Sequence, residues 1–250
     1  MPANLIVEPL DRRPELATMP SQLPNLWPRF MQQDPTASLY YPDVEANHPE
    51  HVLVAYEEPD TPVALAYTVP FEFGSEHRQE LPDDGWDGVI RWSAQDRDRD
   101  TPPTLVSALE ISIRPDRRGQ GLAQVLLAAM HQNVRRLGFT ELVAPVRPSA
   151  KHLEPHTPMH EYAHRTRPDG LPEDPWLRVH ARAGATIAKV APRSMVITGT
   201  LADWREWTGL PFDTTGDVVV PQALLPVHCS VEHDHAVYVE PNVWMRHPVG

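Results

Sequence analysis

Cysteine is all but absent: Cys229 stands alone in 250 residues. No disulfide can form within the chain, so a disulfide framework is excluded and a reducing, cytoplasmic setting is expected. Lysine is nearly missing too, since only Lys151 and Lys189 accompany the arginines. No apolar run approaches the ~18 residues that a membrane-spanning helix needs. The segment Met1–Glu8 lacks a basic stretch leading into a long apolar one, so no secretory leader is expected there. Glycine is scarce, 12 residues against 29 prolines, and the prolines cluster as loop markers. Positive charge is short as well. Lys+Arg number 22 against 34 Asp+Glu, a net charge of −12. Such a surface repels phosphate backbones and draws cationic amines, so nucleic acid is not an expected partner.

What is present is enough apolar residue for a packed core, at 41% of the chain. Residues 4–10 read as a strand. Residues 14–33 show helical spacing cut into pieces by Pro20, Pro24 and Pro28. Residues 51–58 and 63–73 form a hairpin around Pro59-Asp60-Thr61-Pro62. Residues 74–103 are a polar excursion with one short helix near Trp86–Trp92. Strand 104–113 alternates: Leu105, Leu109, Ile111 and Ile113 take one face, and Val106, Ala108, Glu110 and Ser112 the other. An amphipathic helix follows over 122–137, closed by Gly138, and then a strand at 140–146. Further on, helices are expected at 158–162, 176–183 and 201–208, and strands at 185–190, 194–198, 218–220, 224–230 and 236–243. Strand, turn, helix and strand in this order argue an α/β fold.

The informative segment is Ile113-Arg-Pro-Asp-Arg-Arg118-Gly119-Gln120-Gly121-Leu122-Ala123. It runs from strand through turn to helix N-terminus, where backbone N–H groups and the helix dipole converge on an anion. Gly119 and Gly121 leave room for a diphosphate, and Arg118 adds charge. Arg118-x-x-Gly121-x-Ala123, with its flanking strand and helix, resembles the acyl-CoA pyrophosphate motif of the GNAT superfamily of N-acetyltransferases. The resemblance covers roughly residues 48–146 and 174–200.

The resemblance implies a mixed, twisted sheet with helices on both faces, splayed between the strand ending at Ile113 and that at 140–146. Residues 1–200 would form the acyltransferase domain, with insertions at about 74–103 and 147–173. Residues 201–250 would add a β-rich extension packed on it or available for a homodimer contact. It also implies acetyl-CoA as co-substrate, with pantetheine along Ile111, Ser112 and Ile113. The pyrophosphate would sit on Arg118, Gly119, Gln120, Gly121, Leu122 and Ala123. The activity implied is acyl transfer to a small amine or peptide acceptor by direct attack. A non-catalytic acyl-CoA-binding protein of the same fold is the alternative.

Relatives commonly carry Tyr-x-x-x-Gly-Phe at the last core helix, and that tyrosine protonates the departing thiolate. Here His180 stands four residues before Gly184. An ordinary imidazole, pKa near ~6.5, can protonate a thiolate whose thiol lies near ~8.5, and its rate would fall as pH rises past its pKa. Tyr162 is the alternative acid, and Glu110 the candidate base. His152, His156, His160 and His164 recur every fourth residue, but Pro155 and Pro158 forbid one continuous helix, so no metal is expected. The insertion is instead expected to fold over the acceptor side.

Overall fold

The computed structural model describes residues 5–59 and 61–250. Asn4 and Asp60, placed above in a strand and a turn, lie outside them. One sheet organises the chain. Strands β1 (Leu5–Pro9), β2 (Val52–Glu57), β3 (Thr61–Phe71) and β4 (Leu105–Ile113) are joined antiparallel in that order. Strand β5 (Glu141–Val146) then lies parallel to β4. Strands β6 (Thr186–Gly199), β7 (Gly216–Val218), β8 (Val227–Ser230) and β9 (His235–Pro248) complete it. The expected pieces 185–190 and 194–198 are one strand, β6, with register shifts after Ile187 and after Ala191.

Strand β9 is longer than its sequence pattern suggests and is internal. One edge pairs with β6 from Ala236 to Arg246. The other pairs with β8 at His235–Val237 and with β5 at Val243–Pro248. Between those two pairings, residues 238–242 have no strand partner on that edge among the described residues.

Helices cover both faces. α1 (Pro35–Asn47), α2 (Gly85–Asp98) and α6 (Leu201–Thr208) lie on one side; α3 (Leu122–Arg136), α4 (Met159–Ala163) and α5 (Pro175–Arg182) lie on the other. α1 has no amphipathic pattern in the sequence and carries Pro42 inside it. It starts because the Asp34 side chain accepts from the N–H groups of Thr36 and Ala37, with Pro35 at the first helical position. α2 extends through the charge run at 96–98, well beyond the short helix expected. α6 has its capping box, Thr200 with Asp203.

The face assignment of β4 needs correction. Tyr67 pairs with Glu110 but Thr68 pairs with Ala108, so Leu109 is an extra residue, a β-bulge. The bulge reverses the alternation. Ile111 and Ile113 share the α3 face with Val106 and Ala108, and Leu109 keeps to the α1–α2 face with Leu105. Glu110 stays opposite Ile111 and Ile113.

A carboxyl pair ties α1 to α2. Asp34 and Asp87 are both buried, and their side chains are hydrogen-bonded to each other. Burial, then repulsion from Asp34, pushes Asp87 up to about 8. From its ordinary value near ~4 up to that point, the folded protein keeps a proton the unfolded chain has lost, so stability falls as pH rises. Asp87→Asn keeps the hydrogen bond and removes the ionisation. Its gain in unfolding free energy over the parent should grow from pH 5 to pH 8, to on the order of 1–2 kcal/mol, read from urea titrations. A gain that stays flat across that range would show that the shared proton is absent.

Candidate active site

β4 and β5 pair only at Val106–Leu142 and Ser107–Val143, then diverge. Beyond Ser107 the β5-facing edge of β4 has no strand partner among the described residues, and a cavity of about 970 Å³ opens there. It runs from the α3 N-terminus, past β4 residues 108–113, to the unpaired edge of β9.

The α3 end is built as the motif predicts. Gly119 and Gly121 have φ of +76° and +78°, in the left-handed region that favours glycine. Gly121 caps the helix without any side-chain hydrogen bond, so the first-turn N–H groups of this 15-residue helix are left for a ligand. A Cβ at Gly119 would meet nothing within 4 Å, so the turn is open on the side a ligand approaches. Arg118 is exposed, and among the described residues it makes no ion pair. Arg117 is held by Glu57. Gly119, Gly121, Leu122 and Ala123 border the cavity with Ile111, Ser112 and Ile113; Gln120 is exposed on the same turn. These residues fit a diphosphate with an extended arm lying in the splay.

Glu110 sits at the middle of the cavity wall. Tyr41 Oη donates to its Oε2 at 2.6 Å, and burial raises its pKa above the usual carboxylate range. Hydrogen bonds from Tyr41, Trp27 and Ser112 pull in the opposite direction. A carboxylate poised upward in this way suits proton abstraction at neutral pH. Trp27 and Trp86 flank it.

Sequence reasoning missed the far end. Glu240 is fully buried and accepts from Arg147 Nε (2.9 Å), Tyr238 Oη (2.8 Å) and Asn242 Nδ2 (3.2 Å). With its oxygens so engaged it braces the far end of the cavity. Ser194 Oγ donates to Asn242 and accepts from the N–H of Trp86, locking β6, β9 and α2 around the cavity. These residues come together only through the placement of β9.

His180 borders the cavity from α5, 3% exposed. Its Nδ1 contacts His247 Nε2 at 2.9 Å, and its Nε2 is buried without a partner among the described residues. Burial, with a smaller push from His131, lowers its pKa to about 3. The imidazolium expected from an ordinary histidine is therefore not the resting form. Tyr162 stands elsewhere. Its hydroxyl donates to Asp174 Oδ2 at 3.0 Å, and burial and that carboxylate raise its pKa. Asp174 also caps α5 and accepts from the N–H groups of Ser149 and Ala150, so Tyr162 braces the insertion and does not line the cavity. Of the four spaced histidines only His152 reaches the cavity. Among the described residues, no group of three His, Cys, Asp or Glu is placed to hold a metal, and no helix is long and apolar enough to cross a membrane.

An open mixed sheet, splayed at its parallel pair beside a glycine-opened helix, defines a GNAT-type fold. No protein-family model matches the chain. It is 30% identical over 252 residues to the arginine N-acetyltransferase avaD of Aspergillus versicolor, spanning 90% of this chain and 86% of that protein. Among solved structures it resembles the loading GNATL domain of CurA from Lyngbya majuscula. The TM-score is 0.62 at 20% identity, over 98% of this chain and 97% of that one. It also resembles the GphF GNAT-like decarboxylase in complex with isobutyryl-CoA, with TM-score 0.56 at 14% identity, over 98% and 99%. The chain belongs to the GNAT superfamily of N-acetyltransferases, whose chemistry is acyl transfer to an amine.

Proposed function

We propose that this protein transfers an acetyl or short acyl group from acyl-CoA to the amine of a small cationic acceptor of the arginine type. The observation that carries this reading is one continuous cavity joining the open α3 N-terminus to Glu110 at the splay. The diphosphate rests on the amides of residues 118–123. The unpaired edge of β4 beyond Ser107 offers backbone N–H groups to the thioester carbonyl. Glu110 takes a proton from the acceptor amine. The neutral amine nitrogen then bonds to the acyl carbon, the C–S bond breaks with its electron pair kept by sulfur, His180 Nε2 gives the sulfur its proton, and the nitrogen sheds its remaining extra proton to water. One pocket aligns both reactants, so no covalent enzyme intermediate is needed. The name of the avaD relative supports an arginine-type acceptor. So do Glu110 and Glu240 in the cavity wall and the net charge of −12.

The test is thiol release from acetyl-CoA with arginine, agmatine and neutral amines, with mass spectrometry of the products. Tight CoA binding without amine-dependent thiol release would favour the non-catalytic alternative. The cradle has its own check. Gly121→Val should fold, at a backbone cost of about 1–2 kcal/mol for its left-handed conformation. It should weaken CoA binding by ~10-fold or more, at least 1.4 kcal/mol in calorimetry. Parental affinity in that variant would remove the cradle assignment.

A further inference from the structure

Three imidazoles form an unbroken chain from the cavity toward the surface. His180 on α5 contacts His247 on β9, Nδ1 to Nε2, at 2.9 Å. His247 contacts His131 on α3, Nδ1 to Nε2, at 3.1 Å. His180 and His247 are buried, at 3% and 0% exposure, while His131 is half-buried. The remaining ring nitrogen of His180, Nε2, is buried without a partner among the described residues, on a side chain that borders the cavity. A buried, unpartnered ring nitrogen costs stability, and a buried row of histidines costs more, so the arrangement calls for a use.

We propose that His247 and His131 are positioning residues of a proton relay that feeds a proton to His180 Nδ1 as Nε2 gives up its own during acyl transfer. The proposal rests on the acyl-transfer reading above. Each ring–ring contact holds one N–H, so the chain has two neutral patterns. In the first, His131 Nε2–H donates to His247 Nδ1, His247 Nε2–H donates to His180 Nδ1, and His180 Nε2–H faces the cavity. As the C–S bond breaks, its electron pair stays on sulfur and the Nε2 proton of His180 passes to it. The proton of His247 moves to His180 Nδ1, that of His131 moves to His247 Nδ1, and a solvent proton enters at His131 Nδ1. All three rings are neutral before and after. Once the thiol has left, proton uptake at His180 Nε2 and release at His131 Nδ1 reverse the shifts.

The relay explains how a histidine that resists holding charge can still act as an acid. Burial lowers all three pKa values, with neighbouring rings adding to the effect on His180 and His247, and Arg135 to that on His131. The nearby Arg246–Glu141 ion pair turns to the opposite face of the sheet, where Arg246 lies over Phe73. Among the described residues no carboxylate acts on the three rings to stabilise an imidazolium, and a relay of neutral rings needs none.

His131→Ala tests the relay, because the residue is half-exposed on a helix where alanine is well tolerated. Turnover should fall ~10-fold or more with unchanged CoA affinity, and added imidazole should restore part of it. The solvent-isotope proton inventory should change from curved in the parent, with several protons in motion, to linear in the variant. ¹⁵N-histidine spectra of the parent should show through-bond N···N couplings linking the three rings. Parental turnover and inventory in His131→Ala, or the absence of those couplings, overturns the relay and leaves acyl transfer standing. A parent that releases no thiol with any amine overturns both.

Discussion

His180→Phe should lower turnover by roughly 10²–10⁴-fold, the range typical of a lost general acid, with little change in CoA affinity. Phenylalanine keeps a planar ring, somewhat larger than imidazole, beside Trp176, whose ring meets His180 edge-on at 4.6 Å, so the fold should persist. The loss should be flat with pH between 5 and 8. An ordinary imidazole would give an alkaline fall near ~6.5. With its pKa held near 3, His180 does not change charge in that window. Its mark appears on stability instead. Below about 6.5 the unfolded chain takes up protons that buried His180 and His247 refuse, so stability falls as pH drops toward 3. His180→Phe should therefore unfold at a lower pH than the parent. Stopped assays across pH 5–9, with urea titrations at each end, read both effects. Parental turnover in the folded variant would make this histidine structural and leave water as the acid, since Tyr162 is committed to Asp174.

Glu110→Gln should lower kcat/KM by roughly 10²–10³-fold at neutral pH. The base must be ionised to work, so the parent's acid limb should lie above the ~4.3 of an ordinary glutamate. That limb should vanish in Glu110→Gln. The deficit should also shrink at high pH, where a growing share of the acceptor amine is already neutral and needs no base. Tyr41→Phe offers a finer reading. The Tyr41 hydrogen bond favours the ionised carboxylate, so its loss should move the acid limb upward while kcat at high pH is preserved. An acid limb left in place by Glu110→Gln would assign the base elsewhere.

The α3 end of the site was legible because it is local. Strand, turn, two glycines and amphipathic helix all lie between Leu105 and Arg136, and each signal has one physical meaning. His180 was legible through its spacing from Gly184. The faces of β4 were not, because a bulge at Leu109 leaves no compositional trace. α1 escaped because its helix rests on Asp34 and Pro35 and on packing, not on periodicity. Glu240, Asn242 and His247 escaped for a deeper reason. Their roles depend on β9 lying between β5 and β6, and no pattern within 235–248 names those partners.

That placement of β9 also orders the assembly of the molecule. During synthesis, β1 to β5 and α3 emerge long before β9. The first half can pair its strands and form the glycine turn that opens α3 while the edge of β5 waits uncovered. β6 waits as well, since among the described residues it pairs with β9 alone. Pairings between segments so distant in sequence form slowly, and unpaired strand edges invite association with other chains. One late strand then covers both edges, brings Glu240 to the cavity wall and seats His247 between His180 and His131. Sheet closure and completion of the cavity wall thus depend on the same strand.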